Sequence, residues 1–237
     1  MSEHGLAVVT GASSGVGAAV AQELHRSGRP LLMLARREEE MARLGLARAM
    51  AAAVDVRDLA QVRVAIDRAT ERFGPVEILV NNAGIMPLGD VAGQPMGDWQ
   101  ATLDVNCVAV AGLTQAVLPA MMHAGRGTIV MVTSLGARQV FEHHAAYCAS
   151  KAAVHALADA VRLEAGPHGV RVVEIAPGMV DTSLIDSTAS EDLRAEYLRH
   201  REHVLDPAEV AEAVRWACDL PQHVCVRELQ VAHTRQR

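Results

Sequence analysis

A tyrosine and a lysine four residues apart indicate acid–base chemistry. Tyr147 and Lys151 occur in the stretch AAYCASKAAV, and Lys151 is the single lysine of a chain whose other strongly basic side chains are arginine. Helical positions i and i+4 share a face, so the ammonium would lie beside the phenol. A nearby positive charge lowers the tyrosine pKa from its usual value of about 10, which favours proton transfer at neutral pH. A compact ammonium also donates three hydrogen bonds, which the planar fork of arginine does not reproduce.

Two further polar residues fall where they can join this pair. Ser134 follows a predicted strand at 128–133, and its hydroxyl can polarise a substrate carbonyl. Asn106 lies inside a predicted helix at 98–123, where an apolar residue is expected. It is either a satisfied polar group of the core or the anchor of a water chain to Lys151.

A glycine-rich turn follows the first predicted strand. In LAVVTGASSGVGAAVAQEL, Gly11, Gly15 and Gly17 stand between that strand and the helix after it. Glycines allow a tight turn and a close approach of the backbone, and the first N–H groups of the helix then face an anion such as a dinucleotide pyrophosphate. Ser13 and Ser14 add hydroxyl donors. The alternative is a plain tight turn.

The second strand ends in LARRE, which bears on the choice of cofactor. Ala35 occupies the position where an NAD-selective domain carries an acidic residue, and Arg36 and Arg37 follow it. Guanidinium groups bind a 2′-phosphate by charge-assisted hydrogen bonds, so we predict NADP(H). The alternative is that the arginines merely open a glutamate-rich helix. Asp55, at the end of the third predicted strand, can accept from the adenine amino group, and NNAG at 81–84 leaves room for the ribose.

Short apolar runs alternate with Ala-rich amphipathic stretches along the whole chain. This alternation is typical of βαβ units, so we predict one doubly wound α/β Rossmann domain over 1–237, with a seven-stranded parallel sheet and helices on both faces. The charged segment 181–204 is either a solvated surface helix or a mobile substrate lid. The strands are predicted at 6–10, 31–35, 50–56, 77–81, 128–133, 170–176 and 227–232, and the helices at 15–28, 38–44, 58–73, 98–123, 145–166 and 207–219.

Composition narrows the classes of partner. The net charge of −6 argues against an electrostatic grip on nucleic acid or an anionic membrane. The N-terminal residues do not resemble a signal peptide, and no apolar run of membrane-spanning length stands out. The four cysteines are scattered without zinc-ligand spacing or a disulfide pattern. We expect a cytoplasmic protein that holds no metal and binds neither nucleic acid nor membrane.

The loop before the tyrosine, GARQVFEHHAAY, is the predicted substrate pocket. Arg138 or a histidine there would favour a carboxylate-bearing substrate, and the alternative is a solvated charged loop. The adjacent histidines lack a third metal ligand at suitable spacing. The candidate residues are Arg138, Phe141, Glu142, His143 and His144.

Taken together, TGASSGVG, NNAG, the Asn in DVNCV, a Ser thirteen residues before YxxxK, and PG followed by Thr resemble the classical short-chain dehydrogenases/reductases over essentially the whole chain. The resemblance implies the catalytic set Asn106, Ser134, Tyr147 and Lys151. It also implies that Pro177, Gly178, Val180 and Thr182 face the nicotinamide. The complete predicted cofactor-binding set is Gly11, Ser13, Ser14, Gly15, Val16, Gly17, Arg36, Arg37, Asp55, Val56, Asn82, Ala83, Gly84, Tyr147, Lys151, Pro177, Gly178, Val180 and Thr182.

A finer resemblance is to the NADP-dependent branch with clavulanic acid dehydrogenase and the 3-hydroxy acid (serine-type) dehydrogenases. It implies a reductase of an aldehyde or ketone of a small or specialised metabolite, such as one of antibiotic biosynthesis. Two alternatives stay open, a β-ketoacyl-type reductase of carrier-bound substrates and a non-catalytic NADP(H) sensor. The family resemblance also implies a homodimer or homotetramer assembled through the helices at 98–123 and 145–166.

Overall fold

A seven-stranded, entirely parallel sheet forms the centre of the protein, which a computed structural model describes for residues 4–199 and 201–236. The strand order is β3-β2-β1-β4-β5-β6-β7, as expected for a doubly wound fold. The prediction of a seven-stranded Rossmann sheet is therefore confirmed. The strands are β1 (Leu6–Thr10), β2 (Leu31–Ala35), β3 (Ala49–Ala53), β4 (Val76–Asn81), β5 (Gly127–Val132), β6 (Val170–Pro177) and β7 (Glu228–Val231).

Helices cover both faces of the sheet because alternate strand residues are apolar on both sides. Leu6 and Val8 of β1 belong to one core, and Ala7 and Val9 belong to the other. The first core is closed by α3, α5 and α6, and the second by α1, α2 and α8. The helices are α1 (Gly15–Arg26), α2 (Glu38–Ala42), α3 (Leu59–Phe73), α4 (Met96–Leu103), α5 (Ala109–Ala124), α6 (Ala145–Ala165), α7 (Glu191–Arg199) and α8 (Pro207–Asp219).

Two elements differ from their predicted forms. The third strand, predicted at 50–56, ends at Ala53, whose partner Ala35 is the last residue of β2, so no neighbouring strand remains to extend it. The helix predicted at 98–123 consists of α4 and α5, joined by a π-helical turn at Asp104–Val108. Such a turn inserts one residue into the helix and often occurs at functional sites.

The continuous helix from Met96 to Ala124 is long and apolar enough to cross a membrane by length and composition. The sequence analysis predicted no apolar stretch of membrane-spanning length, and that prediction was wrong for this helix. Its inner residues, including Leu113, Val117 and Met121, are buried in the first core against β4 and β5. We therefore interpret it as a core helix of the α/β fold.

The sheet reverses its order between β1 and β4, which creates a crevice at the carboxyl ends of the strands. The chain proceeds outward from β1 to β3, then returns to the other side of β1 as β4. Ligands of open α/β sheets bind in the crevice at such a switch point. The residues after β1, β2, β3, β4, β5 and β6 are thereby brought to one edge of the sheet.

Candidate active site

One cavity of about 1530 Å³ runs along this edge. It is lined by every predicted cofactor-binding residue except Gly17, and by Ser134, Phe141, Glu142, His143 and His144. Asn106 and Arg138 also lie outside its lining. The cavity therefore brings most of the predicted residues into one site.

The glycine turn forms the floor at one end of this cavity. Gly11 and Gly15 have positive φ angles of 67° and 53°, which glycine adopts without strain. At position 17, glycine is required for a different reason, because a Cβ there would overlap the carbonyl oxygen of Gly11. The three glycines thus allow α1 to begin close against the end of β1, with Ser13 and Ser14 on the cavity side.

A threonine that the sequence analysis did not single out ties this turn to the next strand. The Thr10 hydroxyl accepts hydrogen bonds from the backbone N–H of Asn82 (2.9 Å) and of Ala83 (3.0 Å). The Asn82 amide returns a bond of 2.9 Å to the carbonyl oxygen of Thr10. These bonds fix the NNAG segment beside Gly11 at the switch point.

Three arginines surround the same end of the cavity. Arg37 donates to the hydroxyls of Ser14 (3.0 Å) and Ser13 (3.3 Å), and Arg36 lines the wall beside it. Arg57, which the sequence analysis missed, donates to both carboxylate oxygens of Asp55 at 3.0 and 2.6 Å.

The Arg57 guanidinium lowers the pKa of Asp55 to about 2 through this hydrogen bonding, against the opposing effect of burial. The carboxylate predicted to receive an adenine amino group is therefore already engaged by a cation. In the sequence, Arg57 is marked only by its position two residues after Asp55. This spacing is also common in ordinary turns, so the sequence alone does not indicate the ion pair.

Ser134, Tyr147 and Lys151 meet near the middle of the cavity. Tyr147 and Lys151 lie on one face of α6, and the ammonium is 5.6 Å from the centroid of the phenol ring. Both residues are buried, at 7% and 5% exposure. The Lys151 ammonium donates to the carbonyl oxygen of Val132 at 2.9 Å. The Ser134 hydroxyl accepts from the N–H of Gly136 at 3.0 Å and makes a hydrogen bond with Tyr147.

Burial dominates the protonation of this pair. It raises the pKa of Tyr147 above its usual value, while the hydrogen bond with Ser134 opposes the rise. It lowers the pKa of Lys151 to about 8, while the carboxylate of Glu174 opposes the fall. The expectation that Lys151 lowers the tyrosine pKa is thus not met by the protein alone, because desolvation of the phenolate is the larger effect. Tyr147 is protonated at neutral pH and is suited to donate a proton.

Asn106 lies in the π-helical turn, and both the oxygen and the nitrogen of its side-chain amide form hydrogen bonds. Its side-chain oxygen accepts from the N–H of Ile85, and its nitrogen donates to the carbonyl oxygen of Ile85, both at 2.9 Å. The nitrogen also donates to the hydroxyl of Ser150 at 3.0 Å. A Cβ on Gly84 would lie 3.3 Å from the Asn106 oxygen and 3.8 Å from the Lys151 nitrogen. Asn106 therefore positions the segment after β4 beside the lysine.

The segment after β6 forms the roof of the cavity. The methyl group of Thr182 faces Gly15 across it, at 2.9 Å from where a glycine Cβ would lie. Gln236, near the end of the chain, accepts from the N–H of Met179 at 2.9 Å. Thr234, Arg235 and Gln236 line the same cavity. Sequence patterns do not reveal such a contact between segments 57 residues apart.

The other end of the cavity is aromatic and apolar. The His144 ring lies 5.8 Å from Phe141, 6.5 Å from Tyr147 and 6.1 Å from Tyr197, centroid to centroid. Burial lowers the pKa of His144, which favours its neutral form. Tyr197, on α7, is the second of the two tyrosines and was not predicted as a site residue. Met86, Leu88, Leu184, Ile185 and Leu193 pack around the tyrosines.

Two residues of the predicted substrate loop have partners of their own. Arg138 forms an ion pair with Glu228 of β7, away from the cavity. His143 lines the cavity, has a positive φ of 62° and pairs with Asp90 at 2.8 Å. Arg138 is thus not available to a substrate in this arrangement.

Comparison with known proteins agrees with this geometry. The short chain dehydrogenase family model matches residues 5–193. The chain is 37% identical over 234 residues to a glycine betaine reductase of Emericella nidulans, covering 95% of this chain but 18% of that protein. It is 36% identical over 233 residues to an uncharacterized oxidoreductase of Staphylococcus saprophyticus, covering 95% and 96% of the two chains. The chain belongs to the short-chain dehydrogenase family.

Solved structures show the same fold with cofactors bound. The closed form of a serine dehydrogenase complexed with NADP⁺ superimposes with a TM-score of 0.92 at 28% identity, covering 98% of this chain and 96% of that one. An alcohol dehydrogenase from Thermococcus sibiricus complexed with 5-hydroxy-NADP gives a TM-score of 0.88 at 29% identity, covering 99% of each chain. This protein is therefore a short-chain oxidoreductase with a nicotinamide-type cofactor site.

Proposed function

We propose that the protein is an NADPH-dependent carbonyl reductase/alcohol dehydrogenase that acts on an aldehyde or ketone of a small or specialised metabolite. The convergence of Ser134, Tyr147 and Lys151 on one point of the cavity supports this proposal most directly. The dinucleotide end of the cavity lies on one side of this point and the aromatic end on the other. A carbonyl compound held between them would lie beside Tyr147, the proposed proton donor, and beside the end that would hold the dinucleotide.

The residues of the dinucleotide end fit NADP(H). A Cβ on Gly17 would overlap backbone, and Gly11 and Gly15 need positive φ angles, as expected where the backbone approaches a pyrophosphate. Arg36, Arg37 and Arg57 supply positive charge where the second strand ends without an acid. Guanidinium groups in that place favour a 2′-phosphate over a ribose hydroxyl.

In reduction, each side chain has its own role. NADPH bound at the dinucleotide end would supply the hydride. The Ser134 hydroxyl donates to the carbonyl oxygen and orients it, and Tyr147, which is protonated at neutral pH, transfers its proton to the same oxygen. Lys151 stabilises the phenolate that forms, and its ammonium would hold the ribose hydroxyls of a bound cofactor. Asn106 holds the segment after β4 beside Lys151 through its bonds to Ile85.

The aromatic end is suited to an apolar or aromatic group beside the carbonyl. Both tyrosines of the chain and one of its two phenylalanines line it. The described parts of the proposed lid, residues 181–199 and 201–204, carry Leu193 and Tyr197, which pack at this end. The start of the lid is fixed, because Thr188 accepts from the N–H of Leu88 and donates to the carbonyl oxygen of Met86, both at 3.1 Å. A lid anchored there opens by movement of α7.

The alternatives have less support. A reductase of carrier-bound substrates would benefit from a basic docking surface near the lid, yet α7 carries three acidic residues and two arginines. A non-catalytic sensor would not need the serine, tyrosine and lysine to converge. We also propose a cytoplasmic homodimer or homotetramer, since assembly through the helices at 98–123 and 145–166 would cover exposed Val108 and Leu163.

The first experiment is the rate of NADPH and NADH consumption over a panel of carbonyl compounds. The panel includes aliphatic and aromatic aldehydes, ketones, β-keto acids and acyl-thioesters. Two further compounds follow from the similar proteins. The aldehyde derived from glycine betaine is included because of the glycine betaine reductase, and 3-hydroxy acids, assayed in oxidation, are included because of the serine dehydrogenase. We expect faster turnover with NADPH than with NADH. Tight NADPH binding without turnover on any member would contradict the reductase proposal and favour the sensor.

A further inference from the structure

A buried carboxylate lies behind the catalytic residues without contacting the cavity. Glu174, on β6, is 1% exposed in a strand whose other residues are almost all apolar. It accepts a hydrogen bond from the hydroxyl of Thr133 at 2.8 Å, and its other oxygen lies 2.7 Å from Nδ1 of His155. An ionised carboxylate in such a place is costly unless it is paired, so its partners define its role.

Both partners belong to the segments that hold the active site. Thr133 stands between Val132, whose carbonyl oxygen accepts from Lys151, and Ser134. His155 follows Lys151 by one turn on the same face of α6. The attraction between Glu174 and Lys151 favours the charged ammonium, whereas burial favours its neutral form. Glu174 therefore acts on both the place and the charge of the lysine.

We propose that Glu174 is a positioning residue of the reaction, and that its carboxylate, held by Thr133 and His155, keeps the buried Lys151 protonated. The consequence for turnover rests on the proposed reductase function. In that function, the ammonium stabilises the phenolate of Tyr147 and binds the ribose. Loss of the Glu174 charge then leaves a neutral lysine at a pH where the normal protein still carries an ammonium.

Other charged groups near this carboxylate are already paired. Glu228 of β7 forms an ion pair with Arg138, and Asp159 of α6 forms one with Arg162. The ligand atoms of His155, Glu174 and Glu228 lie within 4.8 Å of one another, the spacing of a metal site. The pairing of Glu228 with Arg138 and of Glu174 with His155 favours a protein-only ion network. Glu228 is balanced by the guanidinium of Arg138, whereas Glu174 is the carboxylate whose charge acts on Lys151.

The single lysine makes the test direct. Protein grown with lysine labelled at ¹³Cε gives one side-chain signal, which is that of Lys151 without further assignment. Its chemical shift is followed from pH 6 to pH 11 in the normal protein, in Glu174→Gln and in Glu228→Gln. We expect a midpoint of about 8 in the normal protein. We expect the Glu174→Gln midpoint to be lower by about one pH unit, the effect of one nearby charge.

Glu228→Gln is the matched control, because it removes a carboxylate from the same cluster that is paired elsewhere. Its midpoint should equal that of the normal protein. An unchanged midpoint in Glu174→Gln would overturn the proposal. If Glu174→Gln were unfolded, its lysine midpoint would shift upward instead, to the free-lysine value of about 10.4.

Glu174→Asp keeps the charge on a side chain one methylene shorter, and its midpoint should fall between the other two. A value as low as that of Glu174→Gln would show that packing, not charge, is responsible, and would also overturn the proposal. The NMR result does not depend on a substrate. If the normal protein reduces no carbonyl compound, the reductase function fails while the role of Glu174 is still decided.

The same variants give a kinetic readout. Glu174→Gln should lose reductase activity at a lower pH than the normal protein, with the alkaline limb of the kcat/KM profile displaced by about one unit. The limb should not move in Glu228→Gln. A uniform loss of activity at every pH would indicate a structural role only and would contradict the proposed effect on charge.

Discussion

Lys151 and Val132 are joined by a hydrogen bond of 2.9 Å from the ammonium nitrogen to the backbone carbonyl oxygen. Val132 is the last residue of β5, two positions before Ser134. The end of one strand therefore fixes the serine through the chain and the lysine through this bond. Since Tyr147 lies on the same helical face as Lys151, a single contact between β5 and α6 sets the relative positions of the three side chains.

Replacing Tyr147 by Phe removes the proposed proton donor and leaves the ring. We expect kcat to fall at least about 100-fold, in the range of general acid–base catalysis, with NADPH affinity nearly unchanged. Steady-state kinetics and cofactor fluorescence measure the two effects. Tyr197→Phe is the matched control, because that tyrosine lines the same cavity and should keep most of its activity. Equal losses in both variants would contradict the assignment.

Lys151→Arg keeps the positive charge but changes its shape. A longer, planar guanidinium would not reproduce both the bond to Val132 and the proposed bonds to the cofactor ribose. We expect kcat to fall by about 100-fold, a loss within the range of acid–base catalysis. The KM for NADPH should rise as well. An arginine variant with nearly normal kinetics would show that the site needs only a cation.

The arginines at the dinucleotide end should determine cofactor preference. Arg37→Ala and Arg57→Ala each remove a charged donor, so we expect the KM for NADPH to rise about ten- to hundred-fold, the loss of one charge-assisted hydrogen bond. The KM for NADH should change little. Arg43→Ala is the control, since Arg43 is exposed and pairs with Glu40 on α2 outside the cavity. A parallel rise for both cofactors would contradict the role in 2′-phosphate binding.

The buried ammonium makes stability depend on alkaline pH. The pKa of Lys151 is about 8 in the folded protein and about 10.4 in an unfolded chain. Between these values the unfolded chain binds more protons, so the free energy of unfolding rises with pH. Relative to Lys151→Met, the normal protein should therefore gain about 3 kcal/mol between pH 7 and pH 11. Urea titrations of both proteins test the difference, and a constant or falling one would contradict the lowered pKa.

Gly17→Ala and Gly97→Ala differ only in what surrounds the added methyl. At Gly17 it would overlap the carbonyl oxygen of Gly11, and at Gly97 it meets nothing within 4 Å. We expect Gly17→Ala to lose about 1–3 kcal/mol of stability from overpacking, together with most of its NADPH affinity. Gly97→Ala, in α4, should be neutral or stabilising by about 0.5–1 kcal/mol. Thermal unfolding with and without NADPH distinguishes the two.

Local patterns were enough to predict the sheet and most of the cavity lining. Buried strands and the glycine turn have periodicities and spacings that show within a few residues. The π-helical turn at Asp104–Val108 was not predicted, because an inserted residue leaves the apolar character of a helix unchanged. Contacts between distant segments were also missed, among them Gln236 with Met179 and Arg138 with Glu228. Such pairings depend on the completed fold, which no short stretch specifies.

The burial of the only lysine has a consequence for limited proteolysis. A lysine-specific protease has one cleavage site in this chain, and Lys151 is 5% exposed between α6 and the end of β5. That protease therefore has no accessible cleavage site in the folded protein. Cleavage at Lys151 would show that α6 has separated from the sheet. Cleavage kinetics would therefore follow the opening of α6, with the appearance of two fragments as the signal.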